Sequence, residues 1–103
     1  MGTGSTFAPS GQTVLVDNTA RQIASGNNMS SQGYRVRNLS SSAQYFTHGT
    51  SNTITSAGAP SAGSPVSNTI GMLGSSVETF AGLGPFMIAS SATGFEVTPG
   101  DGI

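Results

Sequence analysis

Residues 33–49 read "GYRVRNLSSSAQYFTHG", and how they are read decides the fold. In the first half, alternation puts Tyr34 and Val36 on one side of an extended chain and Arg35 and Arg37 on the other. Asn38-Leu39-Ser40-Ser41-Ser42 supplies turn residues. "AQYFTHG" then returns, with Ala43, Tyr45 and Thr47 on one face and Gln44, Phe46 and His48 on the other. Apolar residues facing one way and cations the other is the pattern of a strand with one face in a core and one in water. The stretch therefore reads as a β-hairpin that buries Tyr34, Val36 and Tyr45 and exposes both arginines.

The same period of two recurs along the chain. "TVLV" carries Val14 and Val16 on one face, "ARQIA" returns after Asp17-Asn18-Thr19, and "SVETF" precedes a Gly-rich turn. "PFMIASS" opens with proline, a permitted position in a strand. "GFEVT" places Phe95 and Val97 opposite Glu96 and Thr98, and Pro99-Gly100-Asp101-Gly102 reads as a stop. Seven strands are expected, at 13–16, 20–24, 33–38, 43–48, 76–81, 85–90 and 94–98. The expected core is Val14, Val16, Ile23, Tyr34, Val36, Tyr45, Val77, Phe86, Ile88, Phe95 and Val97. No window has helical periodicity with caps, and Gly, Pro, Ser and Thr are poor helix formers. Short strands at such spacing predict an all-β chain, a single antiparallel β-sandwich or jelly-roll-like small barrel.

Two segments stand outside this pattern. Residues 1–12 are Gly, Ser, Thr and Pro around Phe7 and read as an extended N-terminal arm, leaving 13–103 as the sandwich domain. Residues 49–75 are rich in Gly, Ser, Thr and Pro, with Ile54, Val66, Ile70, Met72 and Leu73 scattered among them. They read as a long loop, with "NTIT" and "SNTIGML" as short strands inside it. A structureless loop longer than about 15 residues is uncommon in a compact domain. A neighbouring subunit ordering it is the second reading.

Composition limits what the chain does. Of 103 residues only 7% are charged, there is no lysine or cysteine, and the net charge is −1. An average domain is about 25% charged. A surface of hydroxyls and glycine suits a molecule packed against other subunits, or one outside the cell. The absence of cysteine excludes disulfides, thiolate metal sites and cysteine catalysis. The first twelve residues have neither the basic nor the apolar region of a signal peptide, and no apolar run is long enough for a membrane helix.

Chemistry is sparse. His48 is the single histidine and Asp17, Glu78, Glu96 and Asp101 are scattered, so no metal-ligand spacing exists and no metal or cofactor is expected. Serines are too abundant for any Ser-His-acid match to carry meaning. Glu78 and Glu96, on neighbouring strands, form a carboxylate pair only on the less favoured reading; solvated acids are expected. The Gly-rich pieces at 2–5 and 82–84 lack a P-loop lysine and read as turns. Arg35 and Arg37 lie on one strand face, about 7 Å apart by strand geometry. A net acidic chain argues against nucleic acid, so ion pairs with Glu78, Glu96 or a neighbouring subunit are expected for them.

Two runs, "GYRVRNLSSSAQYFTHGTSNTIT" and "SVETFAGLGPFMIASSATGFEVTPGDGI", resemble small virion proteins of tailed bacteriophages. The resemblance spans residues 13–48 and 76–103 and rests on strand and turn chemistry. It implies a compact β-sandwich without catalytic residues, found in virions, that decorates or cements a capsid, anchors a head fibre or joins neck and tail. The expected function is thus a capsid decoration protein that bridges the major capsid protein or other virion subunits as a symmetric dimer or trimer. It would have no nucleic-acid or membrane partner. A head-fibre, neck or tail part, or a glycan-binding fibre module, is the alternative, and an enzyme is not expected. The residues expected at subunit interfaces are Phe7, Pro9, Arg35, Arg37, Phe46, Ile54 and Val66. The arm is expected to find its backbone partners on a neighbouring subunit.

Overall fold

Both halves of the 33–49 stretch are strands, but they do not pair with each other. The computed structural model describes residues 8–9, 12–23 and 33–101. It contains β1 (Ala8–Pro9), β2 (Val14–Val16), β3 (Arg21–Gln22), β4 (Gly33–Asn38) and β5 (Gln44–Gly49). These are followed by β6 (Thr69–Met72), β7 (Val77–Phe80), β8 (Phe86–Ala89) and β9 (Phe95–Asp101). No helix occurs among the described residues.

The strands form two antiparallel sheets. Sheet A has the order β2-β9-β4-β7, with β1 continuing the β2 edge along β9. Sheet B has the order β3-β8-β5-β6. From β2 to β9 the chain changes sheet at every connection but one, the long link from β5 to β6. This interleaving is the strand order of an eight-stranded jelly roll, two Greek keys closed face to face. The expected hairpin is therefore a crossover. β4 pairs with β9 and β7, β5 pairs with β8 and β6, and residues 39–43 carry the chain from one sheet to the other. Facing sheets lie about 10 Å apart, a gap that five extended residues span easily.

The core lies between the sheets: Val16, Ile23, Tyr34, Val36, Phe46, Met72, Met87, Ala89, Phe95 and Val97. Phe46 is at its centre, edge-on to Phe80 and Phe95 with ring centroids 5.5 and 5.3 Å away. In β4 and β9 the expected faces are the observed ones. In β5 and β8 they are shifted by one residue: Phe46, not Tyr45, and Met87, not Phe86, point inward. In β7 Phe80 packs on the core while Val77 is exposed. Tyr45 instead lies on the outer face of sheet B over its cross-strand partner Gly71, where a Cβ would come within 2.7 Å of the ring.

The expected stop at Pro99-Gly100-Asp101 is also corrected, since β9 runs through to Asp101. The register of β1 against β9 differs by two residues from that of β2, so the edge is irregular opposite Pro99, a residue without an N–H for a ladder. Of the arm, Ala8 and Pro9 pair with Asp101 and Gly100 of their own chain.

Four sheet-to-sheet connections, at residues 17–20, 39–43, 73–76 and 90–94, meet at one end of the sandwich. Asn38, with Gln44, ties three of them together, at 39–43, 73–76 and 90–94. Its Oδ1 accepts from Ser40 N and Gln44 Nε2, and its Nδ2 donates to the carbonyls of Ser42, Met72 and Leu73. Gln44 Nε2 also donates to the Gly94 carbonyl, and Gln44 Oε1 accepts from the Ser91 hydroxyl. Gly94 has φ +74°, and a Cβ there would strike the Val16 carbonyl. No buried side-chain polar atom among the described residues lacks a partner.

Candidate interaction surface

The outer face of sheet A carries three charged residues, Arg35, Arg37 and Glu96. With Tyr34 and Val36 turned inward, β4 presents Arg35 and Arg37 to solvent. Register then fixes their neighbours. Leu15, Glu96, Arg37 and Val77 form one row across β2, β9, β4 and β7. Thr98, Arg35 and Thr79 form the next row, extended by Thr13, whose hydroxyl is 2.8 Å from that of Thr98. Arg35, Arg37, Glu96 and Thr98 line a shallow polar pocket. Arg37 Nη1 is 3.9 Å from Glu96 Oε1, a loose and solvated ion pair. Among the described residues Arg35 has no acidic partner. Leu15 is 63% exposed and Val77 42%, at the two ends of the first row.

Glu78 is elsewhere. It sits opposite Val36, at the rim of the inward side of the edge strand β7, and β4 separates β7 from β9. Glu78 and Glu96 are therefore not a carboxylate pair. A charge on the inward rim of an edge strand guards against edge-to-edge pairing.

Part of the outer face of sheet B, along the C-terminal half of β5, is covered by the chain's own long link. Thr47 and Ile88 are cross-strand partners on that face, each only 8% exposed. Within residues 50–68, Ile54 and Ala57 fold back against β5. Ala57 N donates to Thr47 Oγ1, Thr47 Oγ1 is 2.9 Å from Thr69 Oγ1, and Ile54 packs against Gly49. The segment expected as a free loop is thus a strap on its own sheet. Within it Ser61 and Ser64 form a small bridge, "NTIT" is not a strand, and residues 69–72 are β6.

At this end of the sandwich His48 Nδ1 accepts the Gly84 N–H at 3.1 Å, joining the strap's root to the β7–β8 turn. Burial holds the imidazole below its ordinary value of 6.5. At the opposite end Arg21 binds Asp17 through both oxygens at 3.0 Å. That pairing, with the Thr19 N–H, lowers the carboxyl to about 2.

The residues expected at interfaces divide as follows. Arg35 and Arg37 share the outer face of sheet A, and Pro9 is exposed at its edge. Ile54 and Val66 are half-buried in the strap. Phe46 is a correction: it has no exposed surface and anchors the core. Phe7 lies outside the described residues. Leu15 and Val77 were not expected on this surface. Leu15 was legible, since Val14 and Val16 facing inward turn it outward. Val77 was not, because a valine opening a strand suits either face.

No group of three or more potential metal ligands occurs among the described residues, and no helix there is long and apolar enough to cross a membrane. No family model, no curated protein and no solved structure matches the chain.

Proposed function

We propose that this chain is a non-enzymatic structural protein of a virion, a capsid decoration or cement protein that bridges the major capsid protein or neighbouring subunits. It assembles in the host cytoplasm and stays exposed on the particle. The observation that carries this reading is the jelly-roll order combined with a surface almost without charge. Viral capsid subunits, lectins and cupins use such double-sheet rolls, and fold alone does not choose among them. The side chains favour the first. Metal chemistry of the cupin kind needs several ligands, whereas the chain has one histidine, whose Nδ1 already accepts the Gly84 N–H. Glycan sites of lectins favour exposed aromatic rings. There is no tryptophan, and the described tyrosines and phenylalanines are buried or half-buried. The phage-like turn and strand patterns at 13–48 and 76–103 supply the viral context.

Quantitative mass spectrometry of purified particles tests the proposal. A decoration protein is expected at hundreds of copies per particle. A handful of copies favours a neck, tail or fibre part, and absence from particles contradicts the virion reading altogether.

A further inference from the structure

The row Leu15–Glu96–Arg37–Val77 reads apolar, acid, base, apolar across four adjacent strands. Its charge pattern is antisymmetric about the gap between β9 and β4. We propose that the outer face of sheet A is a two-fold interface that binds a second copy of this chain. A two-fold axis in the plane of contact, close to the strand direction and between β9 and β4, reverses the row. Glu96 then meets Arg37 of the second copy, and Arg37 meets its Glu96. Leu15 meets Val77 of the second copy, and Val77 meets its Leu15. In the next row Arg35 meets the Thr98 hydroxyl and Thr13 meets Thr79. An isologous contact requires such self-complementarity, with each patch serving as its own partner.

Other features of the face agree with this occupant. Leu15 and Val77, two of the three large apolar side chains most exposed among the described residues, stand at the ends of the charged row. The loose 3.9 Å ion pair within one chain leaves both groups able to take a second partner. The cations are arginines, whose planar forks suit interface ion pairs. Sheets stacked face to face cross at about 30°, which a two-fold axis lying about 15° from the strands provides. The sheet is four strands wide, so the patch is smaller than the roughly 800 Å² per partner of a standard interface, and the pairing is weak. The inference concerns the purified chain and stands or falls independently of the virion proposal.

Sedimentation velocity on the full chain at high micromolar concentration tests it, with Arg37→Glu and Glu96→Arg variants run alone and as an equimolar mixture. The wild type is expected to dimerise. Each variant alone sets like charges face to face and should dimerise about tenfold or more weakly. The mixture should restore pairing, because the glutamate introduced in one chain meets the arginine introduced in the other. Far-UV circular dichroism of each variant should match the wild type, since both positions are solvated. A monomeric wild type, variants that dimerise as well as the wild type, or a mixture that stays as weak as its components would each overturn the inference.

Discussion

Val36 is fully buried between two arginines that leave the sheet on its other side. Val36→Asp would set an unpaired carboxylate among Phe46, Phe95 and Val97, at a cost of several kcal/mol. A domain of this size holds only about 5–15 kcal/mol in all. Loss of the cooperative thermal transition is expected, while Arg35→Ala and Arg37→Ala should shift it by no more than a few degrees. Asn38 is the polar counterpart. Asn38→Leu removes the donor shared by three carbonyls and the acceptor of two N–H groups. About 2–4 kcal/mol of stability should be lost, measurable by urea unfolding. His48 sets a pH dependence. Its imidazole is neutral where Gly84 donates to it, and its folded pKa is below 6.5. The unfolded chain therefore binds the proton more readily. The stability from this site is complete above about pH 6.5 and is lost as pH falls through that value towards the lowered folded one. The chain has no other histidine and no cysteine, so the window from about pH 7.5 to 5.5 reports this group. Melting temperature should fall across it in the wild type and stay nearly level in His48→Asn, whose amide oxygen can still accept from Gly84.

At the scale of elements, most strands were legible in the sequence, because a period of two survives without any tertiary information. β4 and β9 were read with their correct faces, since each alternates apolar with charged or hydroxyl residues. β5 and β8 were shifted because both of their faces are buried. Phe46 enters the core while Tyr45 covers Gly71, and Met87 enters the core while Ile88, on the other face, is itself only 8% exposed. A run such as "FMIA" then has no polar residue to mark the outside. β6 falls within "SNTIGML", read as a short strand inside the long link, but it was not counted among the seven strands because Gly71 and Thr69 dilute its apolar pattern. Arg35 and Arg37 were placed correctly, but the row through Arg37 depends on its pairings with Val77 and Glu96, 40 and 59 residues away in the chain, which no local pattern encodes. The strap carries its own prediction. Ile54→Ser removes the side chain packed on Gly49 and loosens the strap where it lies on β5. It should cost about 1–2 kcal/mol for a half-buried aliphatic group. Amide hydrogen exchange should quicken in β5 and β8 and stay unchanged in β4.

For the whole molecule, the distinction that matters is between a meander of local hairpins and a roll whose consecutive strands lie in opposite sheets. The Gly, Ser and Thr links support the roll because they turn corners without needing charge or bulk. The polar cluster at Asn38 and Gln44 joins both sheets at that end. The proposed docking face also depends on this topology, since only the roll places β2, β9, β4 and β7 side by side. Nuclear Overhauser contacts between backbone protons of the isolated chain test it directly. The account predicts a ladder joining 33–38 to 95–100, with Val36 opposite Val97 and Arg37 opposite Glu96, and no ladder between 33–38 and 44–49. A continuous ladder between 33–38 and 44–49 would restore the hairpin, break the row on sheet A and contradict the account.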